Sequence, residues 1–408
     1  MRSRLRLWTV AVLALGLLAP GASVWADKKD RSDEDKETFR EALTKGKFGL
    51  SLRYRFEHVD DDNFAKDGNA STLRTTGWYR TAGYRGFRGF VQFEDVTDLG
   101  LDDDHNSGLN GVTSRPAVID PANTKVHQAN ISYTGLKDTK FVAGRSEIVL
   151  DDARFVGNVL WRQNFQSYNT VMFTQESIAR TKITYAHISR VNNVRTSRFD
   201  ANNNLLNLNF DLDKAGTLVV YHYSLDFDGN ALPSTASTGA SWHGAAKSGE
   251  FKFPFRIEYA SQSDTGDNPN NVDADYFRGL FGFNRGPWTV TLLYEKLSGS
   301  AQDGQFTTPL ATLFKFNGWA DKFLATPTNG LVDMALTAKY KKGPFLVLLS
   351  FHDFEADTGG AGYGDETDFR FIYTAPSGQA FWVQAALFSG ENGFTDTNKY
   401  WAMTSFKF

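Results

Sequence analysis

From Phe48 to Glu57 the chain alternates: Phe48, Leu50, Leu52, Tyr54 and Phe56 are separated by Gly49, Ser51, Arg53, Arg55 and Glu57. Successive side chains of a strand point to opposite faces, so this pattern predicts a strand with one apolar and one charged face. Phe251, Phe253, Phe255, Ile257 and Tyr259 repeat it against Lys252, Arg256 and Glu258. Val332, Met334, Leu336, Ala338 and Tyr340 do so against Asp333, Thr337 and Lys339, and Phe369, Phe371 and Tyr373 against Asp368 and Arg370. About eighteen such segments are predicted, near 48–57, 71–83, 87–95, 126–133, 140–149, 168–173, 180–190, 203–210, 217–227, 236–244, 251–261, 274–283, 288–297, 331–340, 345–354, 366–374, 380–389 and 398–408. The count falls to sixteen if 168–173 and 236–244 are not strands. Pro254 interrupts a strand pattern and gives up one ladder hydrogen bond.

A soluble sandwich alternates in the same way; the connections separate the two. Those at 58–70, 96–125, 150–167, 191–202, 262–273 and 298–330 are long, and between them fall short turns such as Tyr84-Arg85-Gly86 and Lys341-Lys342-Gly343-Pro344. Bacterial transmembrane barrels have an even strand number, short periplasmic turns and longer outer loops. The predicted fold class is therefore all-β, a transmembrane antiparallel β-barrel of about 18 strands with short periplasmic turns and long extracellular loops.

The ends agree with export. Arg2, Arg4 and Arg6 precede an apolar Leu7-to-Leu18 stretch and small residues ending at Ala26, which reads as a secretory signal peptide over 1–26. Residues 27–47 are a charged periplasmic segment that reads first as a solvated tail, with room for a short helix around Glu37 to Leu43, and 48–408 form the barrel. The last strand ends on Phe408, which resembles the C-terminal signal by which outer-membrane barrels are recognised for assembly. Outer-membrane lipid and the barrel assembly machinery are the expected partners.

Composition changes this picture little. Mean hydropathy is −0.39, which a barrel with one greasy and one wet face also reaches. Cysteine is absent and 34 Phe, 15 Tyr and 9 Trp favour strands and interfacial girdles. After residue 26 no apolar run approaches the roughly 18 residues a membrane helix requires. Loss of three arginines with the signal peptide takes the formal net charge from −3 to −6, which gives no pointer to nucleic acid.

No catalytic motif is present: there is no GxSxG, phosphate loop or HExxH, and His222 and Ser224 share one strand face without more. The reading is no enzyme, no cofactor and no metal, with Asp60-Asp61-Asp62 and Asp102-Asp103-Asp104 taken as hydrated loop acids.

The wet face carries more information. With both termini periplasmic, the inward acids Glu57, Glu94, Glu147, Asp226, Glu258, Glu295, Asp333, Glu366 and Asp368 fall toward the extracellular ends of their strands. Inward bases fall at middle or periplasmic depth: Arg53, Arg55, Arg80, Arg88, Lys182, Arg256, Arg278, Lys339 and Arg370, with Arg74 and Arg145 somewhat higher. The lumen is then basic at mid-depth under an acidic mouth, and rings of Arg and Lys select anions. The competing reading is that these charges pair and knit the wall together, since charge on the lipid face costs about 2–4 kcal/mol at mid-bilayer.

Two long connections are too apolar to extend freely in water and are expected to fold against the barrel or into its lumen. One carries Asp152, Arg154, Asn158, Trp161 and Arg162; the other carries Lys315, Asn317, Trp319 and Asp321. Aromatic, Arg and Asn neighbours suit sugar contacts, and equally suit a packed constriction that binds nothing.

GRSEIVLDDARFVGNVLWRQN (Gly144 to Asn164), TPLATLFKFNGWADKFLATP (Thr308 to Pro327) and LRYRFE (Leu52 to Glu57) resemble the alginate export porins. The resemblance implies an eighteen-stranded barrel with an arginine-lined, electropositive constriction, and secretion of the polyuronate alginate. It points to Arg53, Arg55, Arg154 and Arg162 as pore or loop contacts. The function expected is a passive outer-membrane channel for anionic solutes, most specifically an anionic polysaccharide; the alternative is a general or uptake porin for small organic acids, sugars or other nutrients.

Overall fold

The computed structural model describes residues 35–408. The signal peptide and the first residues of the 27–47 segment lie outside the described residues. Eighteen antiparallel strands, from Lys47–Asp61 to Thr397–Lys407, pair each with its sequence neighbour. The last strand returns to the first through a ladder from Ser51–Lys407 to Asp61–Thr397, which closes the barrel. Closure leaves no edge strand, which spares the wall a row of unmet backbone groups facing lipid.

All eighteen predicted segments are strands, including the two doubtful ones, observed as Ser167–Gln175 and Thr235–Ser248. Several run further outward than alternation indicated. Lys47–Asp61 and Gly68–Arg80 leave only 62–67 as their connection, and Thr181–Asn192 and Arg198–Asp211 leave only 193–197, so two loops expected to be long are tight turns. The extensions mix polar residues such as His58, Asp60, Asn69, Asn192, Arg198 and Asp200 with a few apolar ones such as Val59 and Phe199, so their alternation is too short and mixed to be read. The connections at 99–122, 147–166 and 298–330 are long as expected, while the periplasmic ends close in turns as short as 286–287 and 343–344. A two-residue hairpin, Gly299–Ser300 with Gly304–Gln305, sits within the longest loop.

The register confirms the two faces. Phe253, Phe281, Leu292, Leu336, Phe351 and Val383 are exposed on the outside, while Arg55, Glu57, Glu258, Glu295 and Asp333 are buried within. Pro254 is accommodated without a break. Its ladder toward Asp273–Arg285 skips from Lys252–Asn284 to Phe255–Phe281, and the ring packs over Gly282, where a Cβ would lie 2.6 Å from Pro254 Cγ. The N-terminal segment forms the short helix Phe39–Thr44, with the Thr38 hydroxyl accepting from Glu41 N at 3.2 Å. Tyr79 Oη donates to Leu43 O, and Ala82 N donates to Ala42 O at 3.0 Å, so the helix is docked beside the first periplasmic turn rather than loose.

Leu292 lies at mid-strand on the outer face with Leu336 as its cross-strand neighbour. Leu292→Arg is expected to cost about 2–4 kcal/mol of folding stability, measured by denaturant titration in lipid vesicles; Leu293→Arg, on the lumenal face, avoids contact with lipid and is expected to cost less.

Candidate functional site in the barrel lumen

The loops 147–166 and 298–330 turn inward and fill the extracellular half of the lumen. They join each other first. Val156 and Leu310 form a parallel bridge, Gly157 N donates to Leu310 O at 2.8 Å, and Thr312 N donates to Ala153 O at 3.0 Å. The Trp161 ring stacks on Phe314 at 3.8 Å and meets Trp401 of the wall edge-on. Phe155 is enclosed by Tyr221, Tyr223, Tyr276 and Phe306. The core of the molecule is thus inside the barrel, built from loop aromatics against wall aromatics.

Backbone strain gathers in the same two loops. Ala153, Val159, Asn317 and Asp321 hold φ of 69°, 53°, 56° and 62°. Asn and Asp enter this region at modest cost, but a β-branched Val does so only where its surroundings over-determine it. Val159 N accepts no such freedom: it donates to Thr312 Oγ1 at 3.2 Å.

Buried charge ties the loops to the wall around its circumference. Arg53 donates Nη1 to Leu160 O at 2.9 Å, Nε to Gln163 Oε1 at 2.8 Å and Nη2 to Arg162 O. Arg55 donates to Trp161 O at 2.6 Å and is ion-paired with Asp120 and, at 3.4 Å, Glu57. Arg162 meets Asp321 at 2.5 Å and Glu57 at 3.5 Å, and Lys399 reaches Asp321 at 3.2 Å. On the opposite wall Arg154 meets Glu295 at 2.8 Å and donates to Asn317 Oδ1 at 3.1 Å; Asn317 in turn donates to Glu295 at 2.8 Å and Asp333 at 3.3 Å. Asp152 binds Arg278 at 2.6 Å and lies 3.9 Å from Arg256, while Lys315 donates to its carbonyl at 2.6 Å. Burial raises the Asp152 carboxyl, but Arg278, Arg256 and Lys315 outweigh it and hold the group well below the usual carboxylate range. Asn158 donates to Glu147, and Trp319 N and Ala320 N donate to Glu366. Arg370 lies over Trp319 at 4.1 Å, and Arg74 over Phe165 at 3.9 Å.

These placements sort the sequence-derived candidates. Arg53, Arg55, Arg74, Arg256, Arg278 and Arg370 face the lumen, yet they hold loops and wall rather than stand bare around a pore. Asp152, Arg154, Asn158, Trp161, Arg162, Lys315, Asn317, Trp319 and Asp321 come together in the inserted layer. Arg80 and Arg88 face inward nearer the periplasmic end, paired across the wall with Lys47 and Ser132. Arg145 is a correction. It pairs with the outward Ala129 while its neighbours Gly144 and Ser146 take the inner face, so it lies outside the barrel near the extracellular rim. Alternation counted from the wrong parity put it inside.

The acidic mouth is also a correction. Glu57, Glu94, Glu295, Asp333, Glu366 and Asp368 are all buried rather than open at the mouth, with Lys125 at 3.1 Å from Glu94, His352 at 2.8 Å from Asp333 and, more distantly, His352 at 3.7 Å from Asp368. The knit-wall reading holds for the paired ones. Asp61 likewise takes Lys322 at 3.3 Å, and Asp104 takes Arg115 at 2.8 Å. His222 pairs with Thr238 Oγ1 at 2.8 Å rather than with Ser224. Sequence reading missed Asp120, Gln163 and Lys399. Asp120 and Gln163 sit in loops without periodicity; the inward parity of Lys399 was available from Trp401 and Met403.

Below the loops the inner face changes sign. By register Lys182, Lys247, Lys252, Lys339, Lys341 and Lys407 face the lumen with Arg80 and Arg88. Among the described strand residues of that lower half, the acid on the same face is Asp211, 3.7 Å from Arg180.

A closed eighteen-stranded barrel with loops folded into its lumen has the architecture of an outer-membrane porin. Its first third, residues 45–182, matches the family model described as Alginate export. The match covers LRYRFE and GRSEIVLDDARFVGNVLWRQN, the first of the two inserted loops, and agrees with the resemblance drawn from those motifs. No curated protein matches by sequence. Among solved structures the chain is similar to Pseudomonas aeruginosa OccK9 (OpdG), with a TM-score of 0.73 at 12% identity over 90% of this chain and 99% of that one. It is also similar to OccK2 (OpdF) of the same organism, at a TM-score of 0.71, 12% identity and coverage of 90% and 98%. Pseudomonas aeruginosa OpdK with vanillate gives 0.70 at 14% identity, covering 90% and 99%. These likenesses establish the bacterial outer-membrane barrel fold.

Removing one partner of a buried ion pair costs about 3–5 kcal/mol. Arg154→Ala takes the nearest cation from buried Glu295, leaving Arg278 at 4.0 Å, and is expected to loosen the inserted layer, seen as a lower denaturant midpoint and larger, noisier single-channel conductance. Unchanged conductance and stability together would show that the layer is held by something else.

Proposed function

We propose that the chain is a passive, non-enzymatic channel for anionic solutes, with an anionic polysaccharide such as alginate as its most specific cargo. The observation that carries this is the lower lumen, where Lys182, Lys247, Lys252, Lys339, Lys341 and Lys407 face the water column and Asp211 is the acid of that face among the described strand residues. A low-dielectric wall strengthens such a field, and it raises the local concentration of anions at the periplasmic entrance. Three of the upper acids oppose it little, because Arg154 meets Glu295, Arg162 meets Glu57 and Lys125 meets Glu94. The family match over 45–182 supports polyuronate as cargo. No nucleotide-binding motif occurs in the chain, so the drive is a concentration gradient or synthesis behind the channel.

A second reading, uptake of small organic acids, rests on its own observation. The two loops are bonded across the lumen, which a single small carboxylate passes with less rearrangement than a polymer does. OpdK, similar in fold, has been solved with vanillate.

In planar bilayers under a KCl gradient the reversal potential is expected to show anion preference, and cation preference overturns the proposal. The triple variant Lys339→Glu, Lys341→Glu, Lys407→Glu is expected to abolish or invert that preference. Current block by oligouronates added on the periplasmic side, without block by neutral oligosaccharides or benzoates, selects polysaccharide export; block by benzoates alone selects uptake.

A further inference from the structure

The barrel wall is incomplete at one point on its extracellular rim. The strand Asn123–Tyr133 pairs with Thr139–Ser146 only from Ala129 to Tyr133, because the second strand ends at Ser146, where its chain turns into the lumen. The next strand begins at Ser167, level with Asn192 on the strand beyond it. Between the tall strands on either side lies a lateral notch of about 370 Å³, lined by Lys125, Arg145, Ser167, Asn192, Thr196 and Arg198 among others. Its floor is the misplaced arginine. Arg145 Nη1 donates to Val126 O at 2.9 Å, so it caps a carbonyl at the open sheet edge, and Nε donates to Asn169 Oδ1 at 3.1 Å.

The charge in the notch is of one sign. Neither Arg145 nor Arg198 has a carboxylate partner among the described residues. The neighbouring acids are engaged: Asp200 by Arg190 at 2.5 Å, Glu94 by Lys125 at 3.1 Å, and Asp95, at one edge, by Thr97 at 2.8 Å and by Thr124. The remaining lining is hydroxyl and amide. Below it, on the same strands and the same outer face, run Ile131, Phe141 and Val171, all exposed to lipid. The notch thus sits at the upper border of the apolar band and opens sideways into the headgroup layer of the outer leaflet.

We propose that this notch is a binding site for the phosphorylated sugar headgroup of an outer-leaflet glycolipid. Arg145 and Arg198 make the charge-assisted contacts to phosphate, and the Asn, Ser and Thr lining meets sugar hydroxyls. The acyl chains then lie against Ile131, Phe141 and Val171. The phosphate contacts are separate from the conduction path, since Arg145 and Arg198 are on the outside of the wall; Lys125, at the back of the notch, is turned inward and held by Glu94 and by the Phe165 carbonyl.

Native mass spectrometry of the purified full barrel tests this with bis-phosphorylated and dephosphorylated lipid A as probes. The phosphorylated form is expected to bind at least about tenfold more tightly, the effect of one or two charge-assisted bonds. Arg145→Ala with Arg198→Ala is expected to erase that difference, and Arg145→Lys with Arg198→Lys to retain part of it, with heat-dependent gel mobility and conductance unchanged. Equal binding of the two lipids by the unaltered protein overturns the proposal without recourse to any variant, as does undiminished phosphate preference in the alanine variant. Displacement of lipid A by inorganic phosphate or oligouronate at the same concentration as lipid would make the notch a site for free anions and would also overturn it.

Discussion

Hydrocarbon offers no hydrogen-bond partner, and that single constraint orders the molecule. An open sheet in the bilayer leaves a row of unmet N–H and C=O groups, each costing several kcal/mol, so the strand Thr397–Lys407 must return to Lys47–Asp61. Closing the wall fixes the parity of every strand. Within the lipid band outward positions become apolar and charges are turned inward. The consequence is a narrow space holding many ionised groups, and the same requirement for satisfaction then applies within it.

The inserted loops answer that requirement. Arg53 and Arg55 on one wall, and Glu295, Asp333 and Glu366 on the other, present unmet charge to a common space. The loops bring Arg154, Arg162, Lys315, Asn317 and Asp321, together with backbone carbonyls at Leu160 and Trp161, to meet them. The positive φ of Val159 and Ala153 is sustained by this surrounding network. What remains for function is the lower lumen, where lysines outnumber acids on the inner face among the described strand residues. The division is physical: charge in the upper half holds structure, and the proposed field comes from charge in the lower half.

Much of this was legible in the sequence, for a definite reason. Alternation along Phe48–Glu57 or Phe251–Tyr259 reports directly which side of a wall each residue takes, and the long connections report which end faces outward. The inward direction of the two loops was also legible, because Trp161, Phe314 and Trp319 have no stable place in water. Partnership was not legible. Nothing in the chain order says that Arg162 meets Asp321 or that Glu366 receives Trp319 N, since those contacts join segments far apart and depend on how the loops cross the lumen. The mistaken acidic mouth follows from this: alternation gives the height of the acids, but not their burial beneath the inserted loops. Arg145 failed differently. One slip in parity near the end of a short strand moved it from the outside of the wall to the lumen, and the notch it occupies could be seen only once the strand was known to stop at Ser146.

The account stands on the two loops being joined across the lumen in the folded channel, and the absence of native cysteine makes that directly measurable. Cysteines placed at Val156 and Leu310, which face each other in the bridge between the loops, are to be oxidised while single-channel current is recorded. The account predicts rapid disulfide formation with conductance unchanged, because the loops already lie together in the conducting state. Failure to cross-link, or closure of the channel on oxidation, would contradict it.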